Sequence, residues 1–506
     1  MNVSASGSEL MIDPNMTLQE MMTIAISRDP SLQILKFEDR WLTWGELRVP
    51  IDRIKQLIKA SGADARSAVT FVPRNHPAAI AALLGLISDG RTIRMIYAFQ
   101  SPEGIAREID RHRSAIVIAA AKDFTDEVKA VLATHKMAAI ALSDMNADFV
   151  PGFETAHPEL AIPADEPLIQ IHTSGTTGLP KPFAITQAMI ARHHVGSRLT
   201  SASMDAVLKE PPFMLFFPIG NISGIYSTVP TIIRGQRAHL MERFSLDAWR
   251  AYVKEHRPVS GGGPPSVVQM ILDADVPKEE LSCLKYFNTG AAPLDPTVHR
   301  AFEERYGIAV ILSYGATEFA GPVCGMTPEL HAEWGQKKFG SVGRIFPGAK
   351  IRVIDPDTGV EKPTGEEGIL EVISQRLEPK WIRTADIGVM DADGFLFIRG
   401  RADGAIMRGG FKLVPEVIER ALVTHPAISV AAVVGIPDRR LGQVPVAVIQ
   451  LAPDSKTPTP DELETHLRKH VLATHIPVQW KFVNEMPKNP SMKIDRPSVA
   501  RLFANN

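Results

Sequence analysis

The stretch His172–Pro182 reads HTSGTTGLPKP, a serine and three threonines set among two glycines and two prolines around a single lysine. Glycine lets backbone N–H groups approach a ligand closely, hydroxyls add short donors, and Lys181 adds a point charge, so the composition suits a polyanion such as a triphosphate. The same residue types also build ordinary surface turns. A Walker A loop needs Gly-Lys-Ser/Thr at its end, but here Pro180 precedes Lys181 and Pro182 follows it. Leu168–Ile171 is predicted as a strand and Phe183–Thr186 as a second extended segment, with a helix only from about Gln187. Strand-loop-strand is the wrong setting for a phosphate loop that feeds a helix N-terminus, so a phosphate role would belong to another type of enzyme.

Outward from that loop, helical patterns at Ile51–Ala60 and Pro77–Leu86 alternate with aliphatic strands at Ala68–Phe71 and Ala115–Ala119, as a mostly parallel sheet with covering helices requires. The alternation continues through Met214–Phe217 and Val310–Ser313. Near Ile351 it gives way to short strands with turn signals, as in VIDPDTG and MDADGFLFIRG. Beyond Arg401 a helix (Pro415–His425), strands (Ile428–Gly435, Pro445–Leu451), a helix (Pro460–Val471) and a strand (Gln479–Val483) make a small α+β unit of a size that folds alone.

The chain has 506 residues, 45% of them apolar and 22% charged, which fits a globular protein of two or three units. With 55 Lys and Arg against 57 Asp and Glu, the formal charge of −2 supplies no basic field for nucleic acid. Two cysteines, Cys283 and Cys324, form no zinc or disulfide pattern and read as buried small side chains, and a cytoplasmic location is expected. The uncharged run Pro211–Ile233 is long enough to span a bilayer, but Pro218, Pro230, Gly220, Gly224 and Asn221 interrupt it. A buried, irregular strand region is therefore expected there, without a transmembrane segment, and peripheral membrane contact stays open.

Further stretches place small residues at strand ends, where open α/β sheets bind ligands: GPP (Gly263–Pro265), NTGAAPL (Asn288–Leu294) and SYGATE (Ser313–Glu318). Downstream lie RTADIG (Arg383–Gly388), GRADGAIMRGG (Gly400–Gly410) and MPKNPSMKID with Lys493. Each is weak when read separately, but TSGTTGLPK, GAAPL, YGATE, TAD, GRADGAI and a C-terminal lysine, in this order, resemble the adenylate-forming superfamily, in its acyl-CoA synthetase branch. The resemblance covers nearly the whole chain.

It implies an α/β fold. A large N-terminal domain (1–399) would combine mixed and parallel sheets, covering helices and a small β-barrel-like part. A hinge would occupy 400–403, and a small mobile α+β domain 404–506. It also implies ATP-dependent conversion of a carboxylic acid to an acyl-adenylate and then to a thioester of coenzyme A, with Mg²⁺ required. Thr173, Ser174, Gly175, Thr176, Thr177, Gly178 and Lys181 would hold the β- and γ-phosphates. Gly290, Ala291, Ala292, Tyr314 and Gly315 would flank adenine, and Asp386 and Arg401 would bind ribose. Thr317 would touch the α-phosphate, Glu318 would hold Mg²⁺, and Lys493 would bridge carboxylate and α-phosphate. Asp403 would be the pivot, with Gly409 and Gly410 beside the pantetheine arm. Asn221, Gly262, Gly263 and Ala316 would line the acyl pocket, whose many small residues suggest a bulky, aromatic, polycyclic or long-chain (fatty) acid. Monomer and homodimer are both compatible with the sequence.

Four positions depart from the family pattern: Ala385 before the ribose aspartate, Ala316 within YGATE, Asn221 in the acyl gate, and Met492 where glycine often precedes the lysine. Met492 would be strained if that position needs a positive φ. Lys488 is the alternative lysine. A carrier-protein-loading adenylation enzyme and a catalytically impaired nucleotide-binding protein are the competing functions; Phe213–Ile225 has no acidic residue to pair an amino acid's ammonium.

Overall fold

In the computed structural model, the residues described are 12–65, 67–157, 167–173, 181–196, 204–292, 294–402, 404–408, 411–438, 441–471, 473–489 and 492–504. They divide into two compact units, one built from the chain up to Ala248 and the other from Trp249 onward.

The first unit is organised on a seven-stranded sheet in the order Asn146–Phe149, Ala138–Ser143, Ile116–Ala120, Val69–Val72, Ile93–Met95, Leu168–Thr173 and Lys181–Thr186. The five inner strands run parallel and the two edge strands antiparallel. Parallel strands covered on both faces read as continuous apolar runs, and every residue of Val69–Val72 is buried. The helix Pro77–Ser88 is buried along its whole length. The helix Trp44–Ala60 shows an ordinary amphipathic face, started by a capping box between Thr43 and Glu46. A second sheet joins Phe213–Leu215, Ala238–Leu240, Gln33–Phe37 and Arg40–Thr43.

The run Pro211–Ile233 corrects the sequence expectation. It is a short strand followed by a helix, Ile222–Arg234, that carries Pro230 inside it. Ile225, Val229, Ile232 and Ile233 are fully buried. Proline at 230 forfeits one backbone hydrogen bond, the one Tyr226 would accept, and burial of that apolar face outweighs the loss. Among the described residues, no helix is long and apolar enough to cross a membrane.

The second unit holds three sheets. Ser260–Gly262, Tyr286–Gly290 and Ala309–Ala316 are parallel, and Gly321–Gly325 and Arg344–Ile345 extend them antiparallel. The β-rich stretch expected after Ile351 is an antiparallel meander of Lys350–Ile354, Glu367–Ile373, Ile382–Met390 and Leu396–Arg401. The last sheet pairs Ile428–Asp438 with Gly442–Leu451, flanked by Trp480–Val483 and two short strands. Alternation along Ile428–Asp438 sends Ala431 and Val433 into one core, with the helices Pro415–Val423 and Pro460–Leu467, and Ala432 and Val434 into another with Met486, Val499 and Phe503. Cys324 is buried, and burial pushes its thiol up to about 12, while Cys283 is half-buried.

Candidate active site

The opening motif is a hairpin. Thr173 ends one strand opposite Lys181, which begins the next, so the strand-loop-strand expectation holds. Ser174, Gly175, Thr176, Thr177 and Gly178 lie outside the described residues, as do Asp403, Gly409 and Gly410. Asn221 occupies the N-cap of the helix Ile222–Arg234.

In the second unit, the TAD and GRAD motifs lie on neighbouring antiparallel strands, and register sets Asp386 opposite Arg401. Asp386 is 9% exposed. Its Oδ1 accepts from Arg401 Nη1 at 2.9 Å, and its Oδ2 accepts from the Tyr314 hydroxyl at 2.6 Å. The backbone beneath is fixed as well: the Asp386 amide donates to Thr384 Oγ1 at 3.0 Å, and that hydroxyl donates to the Leu370 carbonyl at 2.9 Å. Burial raises the Tyr314 phenol above its ordinary pKa, and the Asp386 charge and hydrogen bond add to the shift, so Tyr314 stays a neutral donor. Ala385 is not among the residues of positive φ, so alanine replaces glycine there without backbone strain.

The strand carrying Tyr314 ends at Ala316, and Thr317–Phe319 follows as a single 3₁₀ turn that leaves Glu318 exposed. Glycine at 290 and 315 is required by close approach. A Cβ on Gly290 would come within 2.6 Å of Ser313 Oγ, and one on Gly315 within 2.5 Å of the Pro322 Cα. At Gly263 a Cβ would meet Val267 at 2.9 Å, and at Gly262 the Asn288 carbonyl at 3.1 Å. The small size of these residues is thus used in packing against their own neighbours. Ala291 turns the chain in the left-handed region, at φ 65°.

Lys493 lies in the connection between the strand Trp480–Val483 and the helix Arg496–Arg501. Its residue surface is open to solvent, yet the ammonium lies in a crowded environment whose desolvation lowers its pKa. Arg401 repels it further, while Glu318 and Asp386 pull the other way. Tyr314, Asp386 and Arg401 are thus joined by hydrogen bonds, and Lys493 feels the charges of Arg401, Glu318 and Asp386. Met492 has φ 62°, as a position usually held by glycine demands. Lys488 instead bridges Ile494 at the base of the same turn.

Two supports were not foreseen from the sequence. Asn489 closes the turn: its Oδ1 accepts from the Lys493 amide at 3.0 Å, and its carbonyl accepts from the Met492 amide at 2.8 Å. The Asn-Pro pair in PKNPS is the local signal that could have marked it. Arg496, three residues past the lysine, donates to both oxygens of Glu419 at 2.7 and 3.0 Å and to the Val433 carbonyl at 2.8 Å. Among the described residues, no group of three or more His, Cys, Asp or Glu gathers as a metal site. Glu318 fits Mg²⁺ in a different way, as one carboxylate beside substrate phosphates and water.

The chain matches the AMP-binding enzyme family over residues 23–377 and the C-terminal domain of AMP-binding enzymes over 417–493, and it belongs to that family. Its relatives include the sulfoacetate–CoA ligase of Cupriavidus necator, 26% identical over 507 residues that span 95% of this chain and 96% of that protein. The 4-coumarate–CoA ligase 1 of Solanum tuberosum is 26% identical over 493 residues, 92% of this chain and 90% of that one. ATP-bound MatB from Rhodopseudomonas palustris has a similar fold, with a TM-score of 0.79 and 19% identity over 97% of this chain and 99% of that one.

Proposed function

We propose that the protein is an AMP-forming acid:CoA ligase whose first half-reaction is run by Lys493. A carboxylate oxygen of the acid bonds to the α-phosphorus of ATP as the bond from that phosphorus to the bridging oxygen breaks and pyrophosphate leaves. The sulfur of CoA then bonds to the acyl carbon, AMP departs with the electron pair, and the thiol proton is lost to water. Like charges meet in the first step, so cations must neutralise it, and the acid needs no general base because it is already ionised.

The observation that supports this reading is the electrostatic influence of Glu318, Asp386 and Arg401 on the Lys493 ammonium. In the proposed roles Lys493 neutralises charge between carboxylate and α-phosphate, and Thr317 binds an α-phosphate oxygen. Asp386, oriented by Tyr314, and Arg401 take the ribose, and Tyr314 with 290–292 flanks adenine. Thr173, Ser174, Thr176, Thr177 and Lys181 would hold the departing phosphates. Mg²⁺ bound through Glu318 would offset phosphate charge. Residues 1–399 and 404–506 would act as separate domains about 400–403, and Asp403→Pro should slow thioester formation more than pyrophosphate release, because proline fixes φ at the pivot.

Relatives named for coumarate and sulfoacetate make aryl and short anionic acids the first panel for ATP–pyrophosphate exchange. Lys493→Ala should lower exchange with the best acid by about 10²- to 10³-fold. A wild-type exchange rate in that variant would remove Lys493 from the chemistry. ATP binding without exchange on any acid would instead favour a non-catalytic member of the family.

A further inference from the structure

Hydrogen bonds within the turn that presents Lys493, and a hydrogen bond that reaches it from outside, hold its described residues. Within it, the Asn489 amide donates to the Lys493 carbonyl at 2.7 Å, and Asn489 Oδ1 accepts from the Lys493 amide at 3.0 Å. Met492 occupies the left-handed region at φ 62°, a conformation that costs a side-chain-bearing residue and relaxes unless its surroundings enforce it. The outside contact is Ser266, whose Oγ donates to the Met492 carbonyl at 3.2 Å across 226 residues of sequence. Ser266 is the second residue of the helix Pro265–Asp273. At the other end of that helix, the Asp273 carboxylate feels the charge of Lys488, the residue at the base of the turn.

We infer that Ser266 is a positioning residue for adenylation: by holding the Met492 carbonyl it keeps the strained turn, and with it the Lys493 ammonium, in register with Glu318, Asp386 and Arg401. The inference rests on the assignment of Lys493 to the first half-reaction. Ser266 acts through the lysine alone, so it serves acyl-adenylate formation and not the later attack of the thiol. Its hydroxyl replaces nothing in the chemistry; it removes the alternative conformations from which Lys493 would have to be recovered in each turnover.

The test separates the half-reactions in the full-length protein, using the acid selected by the exchange screen. ATP–pyrophosphate exchange reports the first, and CoA consumption from the chemically prepared acyl-adenylate of that acid reports the second. Ser266→Ala should slow exchange about tenfold, the effect of losing one hydrogen bond, while CoA consumption proceeds at the wild-type rate. Ser266→Thr, which keeps the hydroxyl, should recover most of the loss. Adding Ser266→Ala to Lys493→Ala should cost nothing further, since a residue that works through the lysine has no effect once the lysine is gone. Unchanged exchange in Ser266→Ala, equal slowing of both half-reactions, no recovery with threonine, or full additivity would each overturn the proposal. The parallel Lys493→Ala measurement tells apart two failures: if that variant exchanges normally the underlying assignment falls, and if it is crippled while Ser266→Ala is normal only the role of Ser266 falls.

Discussion

Glu303 and Asp386 are both carboxylates taken out of water in the same unit, and they are satisfied in different ways. Glu303 Oε1 accepts from His331 Nε2 at 2.8 Å, from His299 Nε2 at 3.2 Å and from the Val310 amide at 2.8 Å. Burial by itself would raise its pKa, but those hydrogen bonds bring it down to about 2. All three partners come from within thirty residues, and His299 is stacked on Phe339 at 4.3 Å, so the cluster fastens the helix Pro296–Tyr306 to its surroundings. Asp386 has one inward partner, Tyr314, and one outward one, the Arg401 guanidinium, whose side chain is 44% exposed. Lys493 faces the same carboxylate from more than a hundred residues later. The depressed pKa of Glu303 thus accompanies a purely structural set of partners. A cation that remains open to solvent, and a second one carried on a connection far along the chain, distinguish the site able to exchange its partners for a ligand.

Exchanging the two carboxylates' fates in mutants would break that comparison. Asp386→Ala would remove the two charge-assisted contacts proposed to the ribose and should lower ATP–pyrophosphate exchange efficiency about 10²- to 10³-fold. Its melting temperature should fall only modestly, because Arg401 can return to solvent and the loss is confined to the hydrogen bond of the Tyr314 hydroxyl. Loss of folding with normal exchange in the surviving protein would reverse the two roles.

Glu303→Gln should do the opposite, leaving exchange intact and lowering stability by about 3 kcal/mol at neutral pH. The pH dependence gives a second measure. The folded pKa of Glu303 is depressed, so its stabilisation is fully present above the unfolded carboxylate value and is lost as pH falls from about 4.5 toward 2. A shift of that size corresponds to about 3 kcal/mol. Urea unfolding from pH 7 to pH 3 should show this acid-sensitive component in wild type and lack it in Glu303→Gln. Parallel stability curves for the two proteins would show that the histidine cluster holds nothing.

What could be read from the sequence follows the same division between local and distant causes. The hairpin at Thr173 and Lys181 was legible because two extended segments and a Gly/Pro loop are local features. The positive φ of Met492 was legible through the glycine expected there. The helix Ile222–Arg234 was missed because prolines and glycines were weighed as breakers, while the deciding term, burial of Ile225, Val229, Ile232 and Ile233, depends on neighbours far along the chain. Composition likewise shows that Gly263 and Gly290 are small, and only coordinates show that Val267 and Ser313 already fill the space a side chain would need. Ser266 and the Tyr314–Asp386 bond join residues 226 and 72 positions apart, and no periodicity records such pairs.

The smallest effect expected concerns the charge state of Lys493. Desolvation first, and Arg401 second, lower its pKa, while Glu318 and Asp386 restrain the shift. A lysine whose folded pKa is lowered loses its proton at a lower pH than a free lysine, so adenylation should decline on the alkaline side below the ordinary lysine value of about 10.4. Lys493→Arg supplies a cation that does not titrate in this range, at some loss of rate because the planar guanidinium reaches differently. Exchange rates of the two proteins, followed from pH 7 to pH 10 with the same acid, should then show an alkaline decline in wild type and a flat profile in the arginine variant. The same decline in both would assign it to another group, and would leave the neighbours of Lys493 with no influence on the proton that the first half-reaction depends on.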